Sequence, residues 1–195
     1  PGAPLFLMVG KLFNLIPIGD EGWRVNMLSV VASALTMLLL YLITVKVIRH
    51  FFLEPLDTFG NQLLVLGSGA MAALAYTFTD TFWFNAVESE VYASSSLFVA
   101  LIVWLMMIWR ERADDPGNEK YLLLIAYLIG LSVGVHLLSI LAIFSLVLLI
   151  YLRKYKWSVK GLVLTGLVGV AAFVIVYYFV IMRFPAFFAG TAFVT

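Results

Sequence analysis

YLLLIAYLIGLSVGVHLLSILAIFSLVLLIYL, which occupies 121–152, is a run of 32 residues without a formal charge. As one straight helix it would measure about 48 Å, whereas the hydrocarbon core of a bilayer is about 30 Å thick. Its middle, GLSVGVH at 130–136, has two glycines and one ionisable side chain, a composition typical of a helix break. We therefore interpret the run as two short helices that meet in a turn near His136. The alternative is one strongly tilted helix with a Gly-x-x-x-Gly packing face.

Four further long runs without a formal charge occur in the rest of the chain. Hydrophobic residues make up 64% of the sequence and charged residues only 12%, whereas a soluble domain is about half apolar. We predict an all-α integral membrane protein, a polytopic transmembrane helical bundle with about six membrane-spanning helices and an N-terminal interfacial helix. The predicted membrane helices, all within one transmembrane domain (1–195), are 24–48, 61–79, 91–109, 121–135, 137–152 and 161–182.

The segment 1–22 differs from these runs. Apolar residues recur at helical spacing from Leu5 to Ile16, but Lys11 and Asn14 interrupt them. The pattern is too short and too mixed for a membrane crossing, and it favours a helix that lies at the membrane interface. The sequence PIGDEG at 17–22 then predicts an external turn.

Positive residues predict which helix ends face the cytoplasm, because short cytoplasmic loops are enriched in Lys and Arg. Nine of the twelve Lys and Arg residues fall on one side if the 121–152 run crosses twice. Charge bias therefore supports the two-helix interpretation independently. The non-cytoplasmic side then carries Asp20, Glu21, Arg24, Asp80, Glu88, Glu90 and His136.

Composition also excludes several classes of function. The net charge is only +1 and the basic residues sit in short loops, so we expect no nucleic-acid partner. The chain has no cysteine and two histidines, His50 and His136, predicted on opposite sides of the bilayer. We predict no metal site and no cofactor, although the sequence does not decide metal dependence.

Two carboxylates lie in an aromatic setting in WFNAVESEVY, at 83–92. Charges at a membrane edge are unfavourable and are often retained for function. The alternative is structural, since negative charge is favourable at the start of a helix. Glu88 lies three residues after Asn85 and four before Tyr92, a spacing that gives one polar helical face. We slightly favour Glu88 over Glu90 for a cavity-lining role.

Three other residues on that side have two interpretations each. Tyr92 fits an aromatic belt at the interface, or stacking against a sugar or lipid. His136 fits a hydrogen-bonded turn residue, or a proton carrier or phosphate contact. Arg24 fits a snorkelling side chain at a helix end, or a phosphate ligand.

The motifs PGAPLF at 1–6, RVNMLS at 24–29, WFNAVESEVY at 83–92 and GLSVGVHLL at 130–138 together resemble a family. In this order they are similar to a bacterial membrane-protein family related to protein O-mannosyltransferases, within the GT-C superfamily of membrane glycosyltransferases. The resemblance covers nearly the whole chain. It implies a GT-C-like fold in a bacterial inner membrane, with the site facing the periplasm.

The resemblance further implies transfer of a mannose-like sugar from a polyprenyl-phosphate donor to a protein or glycan acceptor. It places the acidic catalytic base in an external loop upstream of Pro1, so no catalytic residue is assigned here. The chain begins without methionine, and we expect it to be part of a longer polypeptide and inactive alone. The substrate-binding candidates are Glu88, Glu90, His136, Arg24, Asn85 and Tyr92.

Two other functions stay open from the residues alone. A lipid-linked-sugar flippase or a transporter would also use polar residues and broken helices, although such proteins often carry internal repeats and midplane charges. The sequence shows no convincing repeat and no formal charge deep in a predicted span. A non-catalytic membrane scaffold would need no clustered acids.

Overall fold

The protein, seen in a computed structural model, is described over residues 3–51 and 55–183. Eight α-helices follow one another in these ranges. They are α1 (Pro4–Phe13), α2 (Glu21–Phe51), α3 (Phe59–Thr77), α4 (Asp80–Val87), α5 (Val91–Glu111), α6 (Glu119–Ser132), α7 (Ala142–Lys154) and α8 (Val159–Ile175). A 3-10 helix, Leu137–Leu141, precedes α7, and a π-helical segment, Val176–Arg183, continues α8.

The described residues contain helices and no strand, which confirms the all-α polytopic fold. Within the described ranges, four helical segments are long and apolar enough to cross a membrane: Glu21–Phe51, Val91–Glu111, Leu137–Lys154 and Val159–Arg183. A fifth results if α3 and α4, which are bent by 69° at their junction, count as one span. The expectation was about six. The difference lies at α6, whose 14 residues reach only about 21 Å at 1.5 Å per residue.

Two groups of buried residues hold the bundle together. Between α2 and α5 they are small, with Ser29, Ala32, Ala93 and Ser94 all buried, and small side chains let helix backbones approach closely. Around α5, α6 and α7 they are larger and form one cluster of Ile102, Met106, Ile125, Ile129, Ile140 and Ile143. Helix α8 packs on α7, where Gly169 lies against Phe144.

The 121–152 run is divided in the structure. Helix α6 ends at Ser132, whose carbonyl oxygen accepts hydrogen bonds from the N–H groups of Val135 (2.9 Å) and His136 (2.8 Å). A turn and the 3-10 helix Leu137–Leu141 follow before α7 begins. One continuous tilted helix therefore does not describe this segment.

The segment between α3 and α5 differs from the expected loop. Residues 80–87 form the short helix α4, which the sequence pattern did not predict. Phe82 of α4 is buried and its ring lies 5.1 Å from that of Tyr76 in α3. Aromatic packing across the junction therefore stabilises the bent arrangement.

Contacts between elements define two ends of the bundle. Ser29 Oγ of α2 donates to the carbonyl oxygen of Glu90 at the start of α5 (3.4 Å), and Lys46 Nζ of α2 lies 2.7 Å from a Glu111 carboxylate oxygen at the end of α5. Helices α2 and α5 therefore run parallel, and the two contacts are about 30 Å apart along the 21 residues of α5 at 1.5 Å per residue. We call the end with Lys46 and Glu111 the paired end, and the end with Ser29 and Glu90 the open end.

Candidate functional site at the open end

Arg24, in the first turn of α2, is held by backbone groups. Its Nη1 donates to the carbonyl oxygen of Asn14 (2.9 Å) and its Nε to that of Asp20 (3.2 Å). The Asp20 carboxylate accepts instead from the N–H of Trp23 (2.8 Å). Within residues 3–51 and 55–183, no salt bridge neutralises Arg24. A guanidinium has five N–H donors, so this cation is fixed in place and still has donors for an anion.

His136 lies at the break between α6 and α7 and has a defined orientation. It occupies the N-cap position of the 3-10 helix, where its Nδ1 accepts from the N–H of Leu138 (3.2 Å). A neutral imidazole that accepts at Nδ1 carries its hydrogen at Nε2. The His136 ring also lies beside the Tyr92 ring, with 5.4 Å between the two centroids. The arrangement leaves the Nε2–H as a donor for a ligand.

Glu88 and Glu90 lie on the exposed segment between α4 and α5. Glu90 occupies the N-cap position of α5 without a side-chain cap hydrogen bond, and its N–H donates to the carbonyl oxygen of Glu88 (2.8 Å). Neither carboxylate has a salt bridge to any residue that the structure describes. The structure therefore shows no specific contact by which either side chain would stabilise the start of α5.

The helical spacing of Asn85, Glu88 and Tyr92 is interrupted. Asn85 lies in α4, Glu88 has an extended backbone after α4, and Tyr92 lies in the first turn of α5. Because the helix breaks between them, the three residues do not form the single polar face that their spacing predicts. Instead, Tyr92 contacts His136.

The break near His136 also contacts α1. The N–H of Leu5 donates to the carbonyl oxygen of Gly134 (2.9 Å), and a Cβ on Gly134 would lie 3.1 Å from the Leu5 Cβ. Helix α1 therefore joins the same end as Arg24 and the two glutamates. Among the described residues, Arg24 forms no hydrogen bond or salt bridge with Glu88, Glu90 or His136.

Two residues at this end were not among the predicted site residues. The side-chain oxygens of Asn14 and Asn26 are buried and have no hydrogen-bond partner among the residues described. Buried polar groups are nearly always satisfied, so each is an unusual acceptor that lacks a partner among the described residues. In the sequence, each of these asparagines could have been noticed as a polar interruption of an otherwise apolar segment.

The part of the chain that the structure describes has no group of three His, Asp or Glu side chains that could hold a metal ion.

The long apolar helices and the charges grouped at their two ends define an integral membrane protein. Residues 1–159 match the family described as "Protein O-mannosyl-transferase TMEM260 N-terminal domain", and the chain belongs to this family. The resemblance to O-mannosyltransferase-related membrane proteins is thereby confirmed.

Two curated relatives carry the corresponding name. The "Protein O-mannosyl-transferase tmem260" of Dictyostelium discoideum is 23% identical over 196 residues, which cover 91% of this chain and 22% of that protein. The mouse "Protein O-mannosyl-transferase TMEM260" is 26% identical over 133 residues, 68% of this chain and 17% of that protein. The chain thus spans about a fifth of the length of these relatives. No solved structure matches it.

Proposed function

We propose that this chain is part of a membrane glycosyltransferase that moves a mannose-like sugar from a polyprenyl-phosphate donor to a protein or glycan acceptor. The observation that carries the proposal is the unneutralised Arg24, held in place by two carbonyl oxygens at the open end. A guanidinium can form two parallel hydrogen bonds to a phosphate, which gives both charge and orientation. Family membership supplies the reaction class, and Arg24 supplies a contact for the donor phosphate.

The tail of a polyprenyl donor needs an apolar surface beside the phosphate contact. Helix α2 continues from Arg24 into the apolar part of the bundle, and Val30, Val31 and Leu35 on it are exposed. We place the donor tail along this surface and its phosphate at Arg24. The bilayer then supplies the rest of the tail's environment.

The sugar would lie between the phosphate and the exposed glutamates. A Nε2–H at His136 can donate to a phosphate or sugar oxygen without a change of protonation, and the Tyr92 ring beside it offers a stacking surface. Glu88 or Glu90 would accept hydrogen bonds from sugar or acceptor hydroxyls. As the acceptor hydroxyl attacks the sugar carbon, its proton passes to a general base and the lipid phosphate leaves with the bonding electron pair.

The distribution of cations supports the sidedness that we propose for the site. The paired end carries Lys46, Arg110, Arg112, Lys120, Arg153, Lys154, Lys156 and Lys160 among its residues. The positive-inside rule assigns that end to the cytoplasm. We therefore place the open end on the non-cytoplasmic side, the periplasmic side if the membrane is a bacterial inner membrane.

The proposal is tested with two variants of His136 in the full-length protein. Asn is a good N-cap residue, so His136→Asn keeps an acceptor for the Leu138 N–H but removes the Nε2–H. His136→Ala removes both. We expect both variants to lose transfer of labelled mannose from polyprenyl-phosphate mannose by about tenfold, the value of one hydrogen bond to a charged group.

The comparison of the two variants separates the site from the fold. If His136 only caps the 3-10 helix, His136→Asn will transfer mannose at the wild-type rate while His136→Ala will not, and the ligand role is then wrong. Wild-type transfer by both variants would also contradict it. Lys11→Gln is the matched control, since Lys11 is an exposed residue of α1 at the same end.

A further inference from the structure

The loop between α7 and α8, at the paired end, has a fixed shape. The buried Tyr151 hydroxyl accepts from the N–H of Ser158 (2.8 Å) and lies 3.2 Å from the carbonyl oxygen of Lys156, to which it can donate. Gly161 permits this arrangement, because a Cβ there would lie 2.2 Å from the Tyr151 hydroxyl oxygen. The residues from 155 to 160 are therefore held against α7 by a buried phenol.

This loop displays aromatic side chains outward. Tyr155 is 68% exposed and Trp157 is 67% exposed. Leu152 before the loop and Leu162 after it are exposed as well, so the aromatic residues continue the apolar outer surface of α7 and α8. Exposed Tyr and Trp at the end of apolar helices are typical of the boundary between water and lipid.

The same loop carries two cations that have no counter-ion among the residues that the structure describes. Arg153 and Lys154 precede it and both form salt bridges with Asp114. Lys156 and Lys160 have neither a salt bridge nor a side-chain hydrogen bond to any residue in the ranges 3–51 and 55–183. We call Tyr155, Lys156, Trp157 and Lys160, the last of which lies in the first turn of α8, the basic loop.

The neighbouring loop adds further cations. Lys154 Nζ donates to the carbonyl oxygen of Ala113 (2.6 Å), which joins the basic loop to the turn between α5 and α6. In that turn the charged groups of Arg112 and Lys120 lie 5.9 Å and 5.3 Å from the centre of the Tyr121 ring. Acidic residues are present there too, at Asp115 and Glu119. The basic loop therefore differs from its neighbour in that residues 155–160 include no acidic side chain.

We propose that the basic loop binds the head groups of anionic phospholipids in the leaflet at the paired end. Lys156 and Lys160 would contact lipid phosphates while Tyr155 and Trp157 lie at the level of the head groups. A lipid fits better than an acidic peptide, because the aromatic residues are continuous with the outward apolar surface of α7 and α8. Juxtamembrane lysines are attracted to anionic leaflets, and each contributes separately to the binding.

The proposal is tested with the full-length protein in bilayers that contain spin-labelled lipids. The fraction of spin-labelled phosphatidylglycerol immobilised by the protein is compared with that of phosphatidylcholine, which has no net charge. We expect wild-type protein to prefer phosphatidylglycerol. Lys156→Gln and Lys160→Gln should each reduce that preference by about fivefold at most, and the double variant should reduce it further.

The control is Lys11→Gln, which removes one exposed cation from the opposite end of the bundle. We expect it to keep the wild-type preference. An unchanged preference in the Lys156→Gln/Lys160→Gln protein would overturn the proposal, as would an equal loss in Lys11→Gln. The preference should also fall with ionic strength, since salt screens exposed charges.

Discussion

Charged side chains have different partners at the two ends of the bundle. At the paired end some cations meet carboxylates, as in Lys46 with Glu111 and Arg153 with Asp114, whereas Lys156 and Lys160 have no salt bridge to a described residue. At the open end Arg24 is held by carbonyl oxygens alone, and Glu88 and Glu90 lie exposed without a salt bridge to any described residue. Paired charges contribute to structure, whereas fixed but unpaired charges can bind a ligand. Substitutions at the two ends should therefore separate stability from sugar transfer.

The largest effect on stability should follow Trp109→Ala at the paired end. Trp109 is only 1% exposed, and its Nε1 donates to Asn118 Oδ1 (3.1 Å). Asn118 in turn donates to the carbonyl oxygens of Ala113 (3.0 Å) and Asp115 (2.8 Å). Loss of the buried ring should lower the free energy of unfolding by about 3–5 kcal/mol.

Detergent unfolding of the full-length protein measures this change. Trp157→Ala is the matched control, because Trp157 is mostly exposed and its removal should leave the unfolding midpoint nearly unchanged in detergent. Equal losses for the two variants would mean that the turn after α5 does not stabilise the paired end.

A smaller loss of stability should follow Gly161→Ala in α8. The added Cβ would lie 2.2 Å from the Tyr151 hydroxyl oxygen, so the phenol must move away from the Ser158 N–H. Overpacking of this kind lowers the free energy of unfolding by about 1–3 kcal/mol. Gly166→Ala is the control, since nothing lies within 4 Å of a Cβ at Gly166 and alanine is the better helix former. A loss in Gly166→Ala as large as that in Gly161→Ala would contradict this assignment.

Much of the fold could be predicted because membrane helices need long charge-free runs. The division of the 121–152 run into two helices could also be predicted, from its length and from its glycines. Helix α4 could not be predicted in this way, since 8 residues are too few to show a helical period. Its angle to α3 depends on the burial of Phe82, a contact between elements that no local pattern contains.

The sequence indicated which residue types form the site and that they lie at one end of the bundle. It predicted their contacts less well. Arg24 and His136 are fixed by the Asn14 carbonyl oxygen and the Leu138 N–H. Every residue carries such backbone groups, so sequence does not distinguish the ones that are used. The spacing of Asn85 and Glu88 suggested a shared face with Tyr92, but the extended segment before α5 separates them.

At the open end, Arg24→Gln should reduce sugar transfer with little effect on folding. Glutamine keeps an amide that can donate to the Asn14 carbonyl oxygen but has no charge for a phosphate. Loss of a charge-assisted hydrogen bond should weaken binding of polyprenyl-phosphate mannose by about 10- to 100-fold. Equilibrium binding of the labelled donor to the full-length protein measures this change. Arg24→Lys should recover part of the affinity, and a variant Arg24→Gln that binds like wild type would refute the phosphate contact.

The smallest effect should come from the Lys46–Glu111 salt bridge. Its atoms lie 2.7 Å apart, but the Glu111 side chain is 58% exposed, so water and salt screen the attraction. A double-mutant cycle with Lys46→Gln and Glu111→Gln should give a coupling energy below about 1 kcal/mol. Lys46 Nζ also lies 5.0 Å from the centre of the Trp104 ring, so the single substitution of Lys46 should lower stability more than that of Glu111. Equal losses would mean that the aromatic contact contributes nothing, and a coupling of several kcal/mol would show that the paired end is far less hydrated than its exposed carboxylates imply.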